Sequence, residues 1–286
     1  MANKNVINDN VIYPMKALTE DKNKDISHRN YAPEGVLLKP PFNMIAYGSS
    51  QTGKSNCLMN ILLRTGKDGS FYGEDNKGKV FHDIIVISST MASDDCVQPL
   101  LEIASEIHDT YKDNIIKDIV NLQRERQERG ENKRVLILMD DIITMCKPND
   151  YIFKAMTNAR HDNISIMIAI QNVRGTLPPV ARANAHQIIA FRLHSEKERK
   201  KLFEELSFLD TEKEVGYMYN HCCREPYNFM YIDAKNLKVS HNFTNPLWQR
   251  YNPDGTYSTS FSGKKSKIAE MEEIGNELGT NYSDSE

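Results

Sequence analysis

Between residues 42 and 233 the aliphatic residues gather into short unbroken runs, each closed by a polar turn. The runs at 42–47, 83–88, 135–139, 164–170, 187–191 and 229–232 are nearly continuous Ile, Val, Leu and Met rather than alternating apolar and polar. Strands buried on both faces of a mostly parallel sheet read this way, whereas a sheet wet on one face alternates. Helix-like segments lie between the runs. Residues 56–63 form one, and 113–129 form another with an apolar stripe of Ile115, Ile116, Ile119, Val120 and Leu122. Residues 196–206 form a charged third, carrying Lys197, Arg199, Lys200 and Lys201. The alternation predicts a three-layer α/β domain, with helices on both sides of a mostly parallel central sheet.

The flanks differ in composition. Residues 1–39 are rich in Asn, Asp and Lys without sustained periodicity, and Lys39-Pro40-Pro41 punctuates the entry into the first run. After Lys267 no basic residue remains, while Glu270, Glu272, Glu273, Glu277, Asp284 and Glu286 accumulate. The expected organisation is an arm over 1–39, a folded domain over 40–250 and a flexible acidic tail over 251–286. The mixed charge run at 124–134 reads as a solvated helix end and loop.

The chain has 286 residues, of which 40% are hydrophobic, enough for a substantial core. Its apolar runs fall far short of the roughly 20 residues that cross a bilayer. The amino terminus has no apolar core of the secretory kind, so a cytosol-like compartment is expected. The triplets at Asn163, Asn242 and Asn281 therefore carry little weight as glycosylation sites. Five scattered cysteines, Cys57, Cys96, Cys146, Cys222 and Cys223, predict reduced thiols rather than a disulfide framework. His221-Cys222-Cys223 lacks a second ligand pair at the spacing a tetrahedral site requires. The formal net charge of −3 supplies no global basic field, so any nucleic-acid contact must come from local patches.

Candidate chemistry begins directly after the first run. Gly48-Ser49-Ser50-Gln51-Thr52-Gly53-Lys54-Ser55 spells G-x-x-x-x-G-K-[ST], followed by Asn56 and the first helix-like segment. With glycine at about 7% of residues, such a string arises by chance about once in a hundred chains of this length. Its glycines let the backbone curl so that several N–H groups point at one anion, and the helix that follows adds its positive end. Lys54 is then placed to reach the outer phosphates and Ser55 to ligate Mg²⁺. The plain alternative is a glycine-rich turn joining strand to helix.

Two further runs end in polar side chains. The run at 135–139 delivers Asp140 and Asp141, a Walker B pattern. Asp140 can help hold Mg²⁺ through water and the Ser55 hydroxyl, and Asp141 can orient or deprotonate water. The alternative for the pair is a helix N-cap after a strand. A second carboxylate at this place favours hydrolysis over phosphoryl transfer to a small acceptor. The run at 164–170 ends in Gln171, whose amide can both donate and accept, and so can sense a γ-phosphate or a lytic water; it can equally be a loop's first polar residue. Arg160, Arg174, Arg182 and Arg192 are candidates for an arginine acting on a neighbouring subunit's γ-phosphate, with Arg160 first; each can equally be a surface or structural group.

Taken together, Pro41-Phe42 before the P-loop, Asp140-Asp141, Ala159-Arg160-His161 followed by Asn163-Ile164-Ser165, and Gln171-Asn172 with Leu177-Pro178 beyond resemble one family. They are similar to the genome-packaging ATPases of large eukaryotic DNA viruses, including the poxvirus type, within the FtsK/HerA superfamily. The resemblance spans about residues 38–233. It implies a RecA-like ATPase core using ATP and Mg²⁺, and a homo-oligomeric ring of five or six copies. It further implies movement of double-stranded DNA into a capsid, contact with capsid proteins, and work at virus assembly sites in the host cytoplasm or in the virion. It carries roles to Lys54, Ser55, Asp140, Asp141 and Gln171, and less directly to Arg160. One departure is that the superfamily more often has glutamate where this chain has Asp141. DNA contacts are sought at Arg174 and Arg182 and in the 197–201 group, the last of which reads equally as a soluble helix face. The competing readings are a P-loop nucleoside or nucleotide kinase, and an ATP-switched capsid-assembly factor that moves no DNA.

Overall fold

A computed structural model describes residues 37–64, 71–73, 79–89, 98–142, 146–173 and 177–250. The amino-terminal half runs β1 (Asn43–Tyr47), α1 (Lys54–Leu63), β2 (Asp83–Ser88), α2 (Gln98–Ile103), β3 (Glu106–His108), α3 (Asp113–Glu128) and β4 (Val135–Asp140). There follow α4 (Tyr151–Asn158), β5 (Ile164–Ile170), α5 (Pro179–Ala183), β6 (Gln187–Phe191), α6 (Glu196–Glu205) and α7 (Glu212–Cys222). The strands β7 (Phe229–Asp233), β8 (Lys238–His241) and β9 (Asn245–Gln249) complete the sequence. Among the described residues these strands form one nine-stranded sheet, ordered β3-β2-β4-β5-β1-β6-β7-β8-β9. Strands β3 through β6 of that order pair in parallel, and β7, β8 and β9 are added antiparallel.

The three layers follow from side-chain alternation along strands that are apolar on both faces. Ile45, Tyr47, Ile137, Met139, Ile166 and Ile168 face one cluster, which is closed by Ile116 and Val120 of α3, Phe153 of α4 and Leu202 of α6. Their neighbours Met44, Ala46, Leu136, Leu138, Met167 and Ala169 face the other, closed by Leu58 and Ile61 of α1 and Leu100 of α2. An aromatic group thickens this second layer, with Phe42 stacked on Tyr72 at 5.0 Å and Phe243 packed edge-on against Phe229 at 4.8 Å.

All six expected strands are present, with bounds shifted by a residue or so. Three were not foreseen. β3 is a three-residue edge whose side chains face solvent, and β8 and β9 form a hairpin with a register shift at Val239/Ser240, so none shows a long buried run. The packed domain also starts earlier than residue 40. Leu37 is 3% exposed, Leu38 N donates to Gln187 Oε1, and Tyr72 Oη donates to Leu38 O at 2.5 Å. No helix among the described residues is long and apolar enough to cross a membrane.

Polar side chains lock the amino ends of the parallel strands. Asn43 Nδ2 donates to Met156 O and Asn184 O, while Asn43 N donates to His186 Nδ1 at 2.9 Å. Gln123 Nε2 reaches Lys133 O at 2.9 Å, and Arg126 pairs with Asp83 at 2.5 Å. The Asn43, His186 and Gln123 bonds satisfy backbone groups that would otherwise be buried unpaired, and the Arg126–Asp83 pair ties α3 to the start of β2.

His186 can accept from Asn43 only while its Nδ1 is unprotonated, and burial, with Arg160 and Lys235 nearby, lowers its pKa from the usual 6.5 against the opposing pull of Asp233. Burial lowers His241 likewise. Both folded values lie below the unfolded one, so as pH falls from about 6.5 the unfolded chain takes up protons first and stability declines. Thermal unfolding followed from about pH 7.5 to 5.5 should show the melting temperature falling, and falling less in His186→Asn, which keeps an acceptor but does not titrate.

Candidate phosphate-binding site

The loop after β1 is seated between the ends of the two strands that flank it. Gly48 N donates to Ile170 O of β5 at 3.2 Å, and Ser49 N donates to Arg192 O beyond β6 at 3.1 Å. A Cβ on Gly48 would lie 2.7 Å from both Phe191 Cβ and Thr52 Oγ1, so only glycine fits. Thr52 Oγ1 donates to Ser49 O at 2.8 Å, and His194 N donates to Ser49 Oγ at 3.0 Å. Gln51 at φ 61 and Gly53 at φ 96 complete the curl, the second in a conformation that glycine takes without steric cost. Ser50 and Gln51 are exposed at its crest.

Helix α1 starts at Lys54 with no side-chain cap at Gly53 and no acidic residue in its first turn. Its end therefore keeps unclaimed N–H groups and about half a positive charge, the electrostatic form of an anion site. Lys54 is 6% exposed, and its Nζ donates to Gly48 O at 2.8 Å and Ser49 O at 3.0 Å. Burial lowers the ammonium's pKa, and Asp141 and Asp140 oppose that shift. Asn56 is turned along the helix toward Asn60, whose Nδ2 donates to Asn56 O at 2.8 Å and to Asn56 Oδ1 at 3.1 Å.

Two strands over, Asp140 ends β4 at 4% exposure and its Oδ2 accepts from Ser55 Oγ at 3.2 Å. A hydroxyl and a carboxylate are hard oxygen donors, and two oxygens bound side by side on octahedral Mg²⁺ at about 2.1 Å stand about 3 Å apart. The pair fits that ion in both chemistry and spacing. The next residue leaves the strand through the left-handed region, Asp141 having φ 53, with its N–H on Ala169 O at 3.3 Å. This turn sends neighbouring carboxylates to different partners: Asp140 to Ser55, and Asp141 Oδ2 to Gln171 Nε2 at 2.9 Å. Because β5 lies between β1 and β4, Gln171 at its end stands between the P-loop and the aspartates.

The arginines do not join this group. Arg160 is exposed after α4, at the amino edge, separated from the P-loop by the length of β5, about 20 Å for its seven residues. Arg182 is half-buried, pairs with Glu205 at 3.2 Å and donates to Leu177 O, which ties it to the fold rather than to an outside phosphate. Arg192 donates to Cys223 O at 2.7 Å and to Arg224 O, holding the end of α7. Arg174 lies outside the described residues. In the 197–201 group, Lys200 pairs with Glu196, Lys201 with Glu204, and Arg199 donates to Leu193 O and His194 O. Cys222 and Cys223 are buried thiols directed at Ser240 O and Ala190 O, and burial pushes Cys223 up to about 12, far from the thiolate a metal requires.

Solved structures give a clear likeness of fold. The genome packaging NTPase B204 from Sulfolobus turreted icosahedral virus 2, solved in complex with AMP, superposes with a TM-score of 0.52 at 13% identity, over 71% of this chain and 97% of that one. B204 described as the DNA-packaging ATPase from Sulfolobus turreted icosahedral virus gives 0.50 at 15% identity with the same coverage. No family model matches the sequence. No curated protein matches it either. The chain thus has the three-layer P-loop fold that these two NTPases share.

Three contacts at this edge were not read from the sequence. Ser49 receives the His194 amide, Glu198 Oε2 accepts from Val173 N at 2.5 Å, and the exposed Tyr227 lies against Gly53. All three join segments far apart in the chain, and no local spacing signals them.

The left-handed turn at Asp141 makes a prediction of its own. Asp141→Asn should leave stability within about 0.5 kcal/mol, because Asn tolerates that backbone. Asp141→Val, β-branched, should cost about 1–3 kcal/mol, read from urea unfolding midpoints.

Proposed function

We propose that the protein is a Mg²⁺-dependent ATPase that drives double-stranded viral DNA into a capsid. The observation that carries the hydrolytic part is the adjacency of Ser55 and Asp140 at 3.2 Å with the Asp141–Gln171 pair beside them, all at the P-loop's edge of the sheet. Loop amides from Ser50 to Ser55 and the end of α1 bind the phosphates, while the Gly48 and Ser49 amides anchor the loop to Ile170 O and Arg192 O, and Lys54 exchanges its carbonyl partners for the β- and γ-phosphate oxygens. Ser55 and Asp140 would hold Mg²⁺, which when bound neutralises charge on the phosphate oxygens. Asp141 orients or deprotonates the attacking water, and Gln171, already bonded to Asp141, reports whether the γ-phosphate is present.

Arg160 cannot reach its own chain's P-loop from the opposite edge, so its catalytic use is in a neighbouring copy, within a homo-oligomeric ring. The motor reading is supported by the residues shared with viral packaging ATPases and by the fold likeness to B204. A ring sums modest phosphate contacts from several subunits, so a net charge of −3 per chain is compatible with a DNA motor. Such work belongs at virus assembly sites in the host cytoplasm, with capsid proteins as the docking partners.

Phosphate release by purified protein should depend on Mg²⁺ and rise on addition of long duplex DNA. Lys54→Ala should lower turnover to background while preserving the fold, and Asp141→Asn should lower it by about 10²-fold or more with unchanged melting temperature. Indifference to DNA would favour a nucleotide switch, and a phosphorylated small acceptor in place of free phosphate would mark a kinase.

A further inference from the structure

We propose that Tyr227 is the platform on which the base of the bound nucleotide stacks; this rests on the phosphate-site reading and extends it. The sheet order fixes the direction of a bound triphosphate. Asp140, Asp141 and Gln171 stand on the β4 and β5 side of the P-loop, so the terminal phosphate faces that side. The nucleoside must then leave on the other side, toward β6 and β7. Strand β7 is antiparallel to β6, with Phe229 opposite Phe191, so the turn that enters β7 lies at the P-loop's edge of the sheet. Tyr227 is in that turn.

Three features set Tyr227 apart. It is an aromatic side chain left 60% exposed, beside a core that buries Phe191 and Phe229 almost completely. Its backbone is in the left-handed region, at φ 65, where a bulky residue is an outlier that must be held by its surroundings. Its ring lies against the P-loop, with Cδ1 3.3 Å from the position a Cβ on Gly53 would take. Both flanks of the turn are fastened. Arg192 holds Cys223 O and Arg224 O, and Asn242 Oδ1 accepts from Phe229 N at 3.1 Å while its Nδ2 reaches Asn228 Oδ1. Arg192 is also the residue whose carbonyl receives Ser49 N, so loop and turn share one anchor. A flat, pre-positioned ring beside the exit of a phosphate cradle suits a purine face. Stacking grips the ring without reading its edge, so choice among bases falls to other groups.

Titration calorimetry with Mg²⁺, comparing ATPγS with inorganic tripolyphosphate, separates base from phosphate recognition. Tyr227→Gly should weaken ATPγS about ten-fold or more while leaving tripolyphosphate within about two-fold. Its melting temperature should not fall, since glycine relieves the left-handed backbone. Tyr227→Phe, which keeps the ring, should bind both ligands as the wild type does. Unchanged ATPγS affinity in Tyr227→Gly overturns the proposal, as does an equal loss for both ligands with a lowered melting temperature, which would make the ring a packing element of the loop. Wild-type protein that binds tripolyphosphate and ATPγS equally well overturns it while leaving the phosphate site standing. Wild-type protein that binds neither ligand overturns the phosphate-site reading and this one with it.

Discussion

A parallel sheet covered by helices on both faces can offer polar side chains to solvent only at the ends of its strands, and that constraint organises this molecule. Along β1, β4 and β5 the side chains between the ends are apolar except Ser165, which accepts from Phe42 N, and nearly all are fully buried, the apolar ones feeding one or the other of two cores. The polar residues are pushed to the two edges, and the edges do different work. At the amino edge Asn43, Gln123 and His186 satisfy backbone groups, and Arg126 pairs with Asp83 to close the fold. At the carboxyl edge Lys54, Ser55, Asp140, Asp141 and Gln171 converge around a backbone that cannot pair as sheet or helix.

The carboxyl edge also holds unusual backbone. Gln51, Asp141 and Tyr227 all have positive φ there, without being glycine. Each costs on the order of 1–2 kcal/mol relative to ordinary backbone and persists because the surrounding bonds fix it. At Asp141 the result can be stated in contacts, since one carboxylate goes to the Ser55 hydroxyl and the next to the Gln171 amide. A regular strand continuation would point successive side chains to opposite faces of the sheet instead.

The central strands and the P-loop were legible because their signals are local. Unbroken runs such as 135–139 can be read without knowing their neighbours, and G-x-x-x-x-G-K-S fixes a backbone path by itself. Edge elements were not legible. β3 is three residues long with an exposed face, and the hairpin of β8 and β9 is defined by pairing more than by composition. Arginines were the least readable, because a guanidinium's task depends on what stands opposite. Arg182 meets Glu205 and Arg192 meets the last carbonyls of α7, while Arg160 stands at the far edge. Tyr227 was invisible for the same reason, since its neighbour Gly53 lies far away in the chain.

One edge of the sheet brings together a phosphate cradle, a pair of hard oxygen donors and a carboxylate–amide pair, the arrangement from which a single nucleotide site is proposed. The most direct measurement is a structure of the full chain with Mg²⁺ and a non-hydrolysable ATP analogue. The terminal phosphate should lie between Lys54 and the Asp141–Gln171 pair, with the ion touching Ser55. Nucleotide bound elsewhere on the molecule, or a terminal phosphate directed away from Asp140 and Asp141, would contradict it.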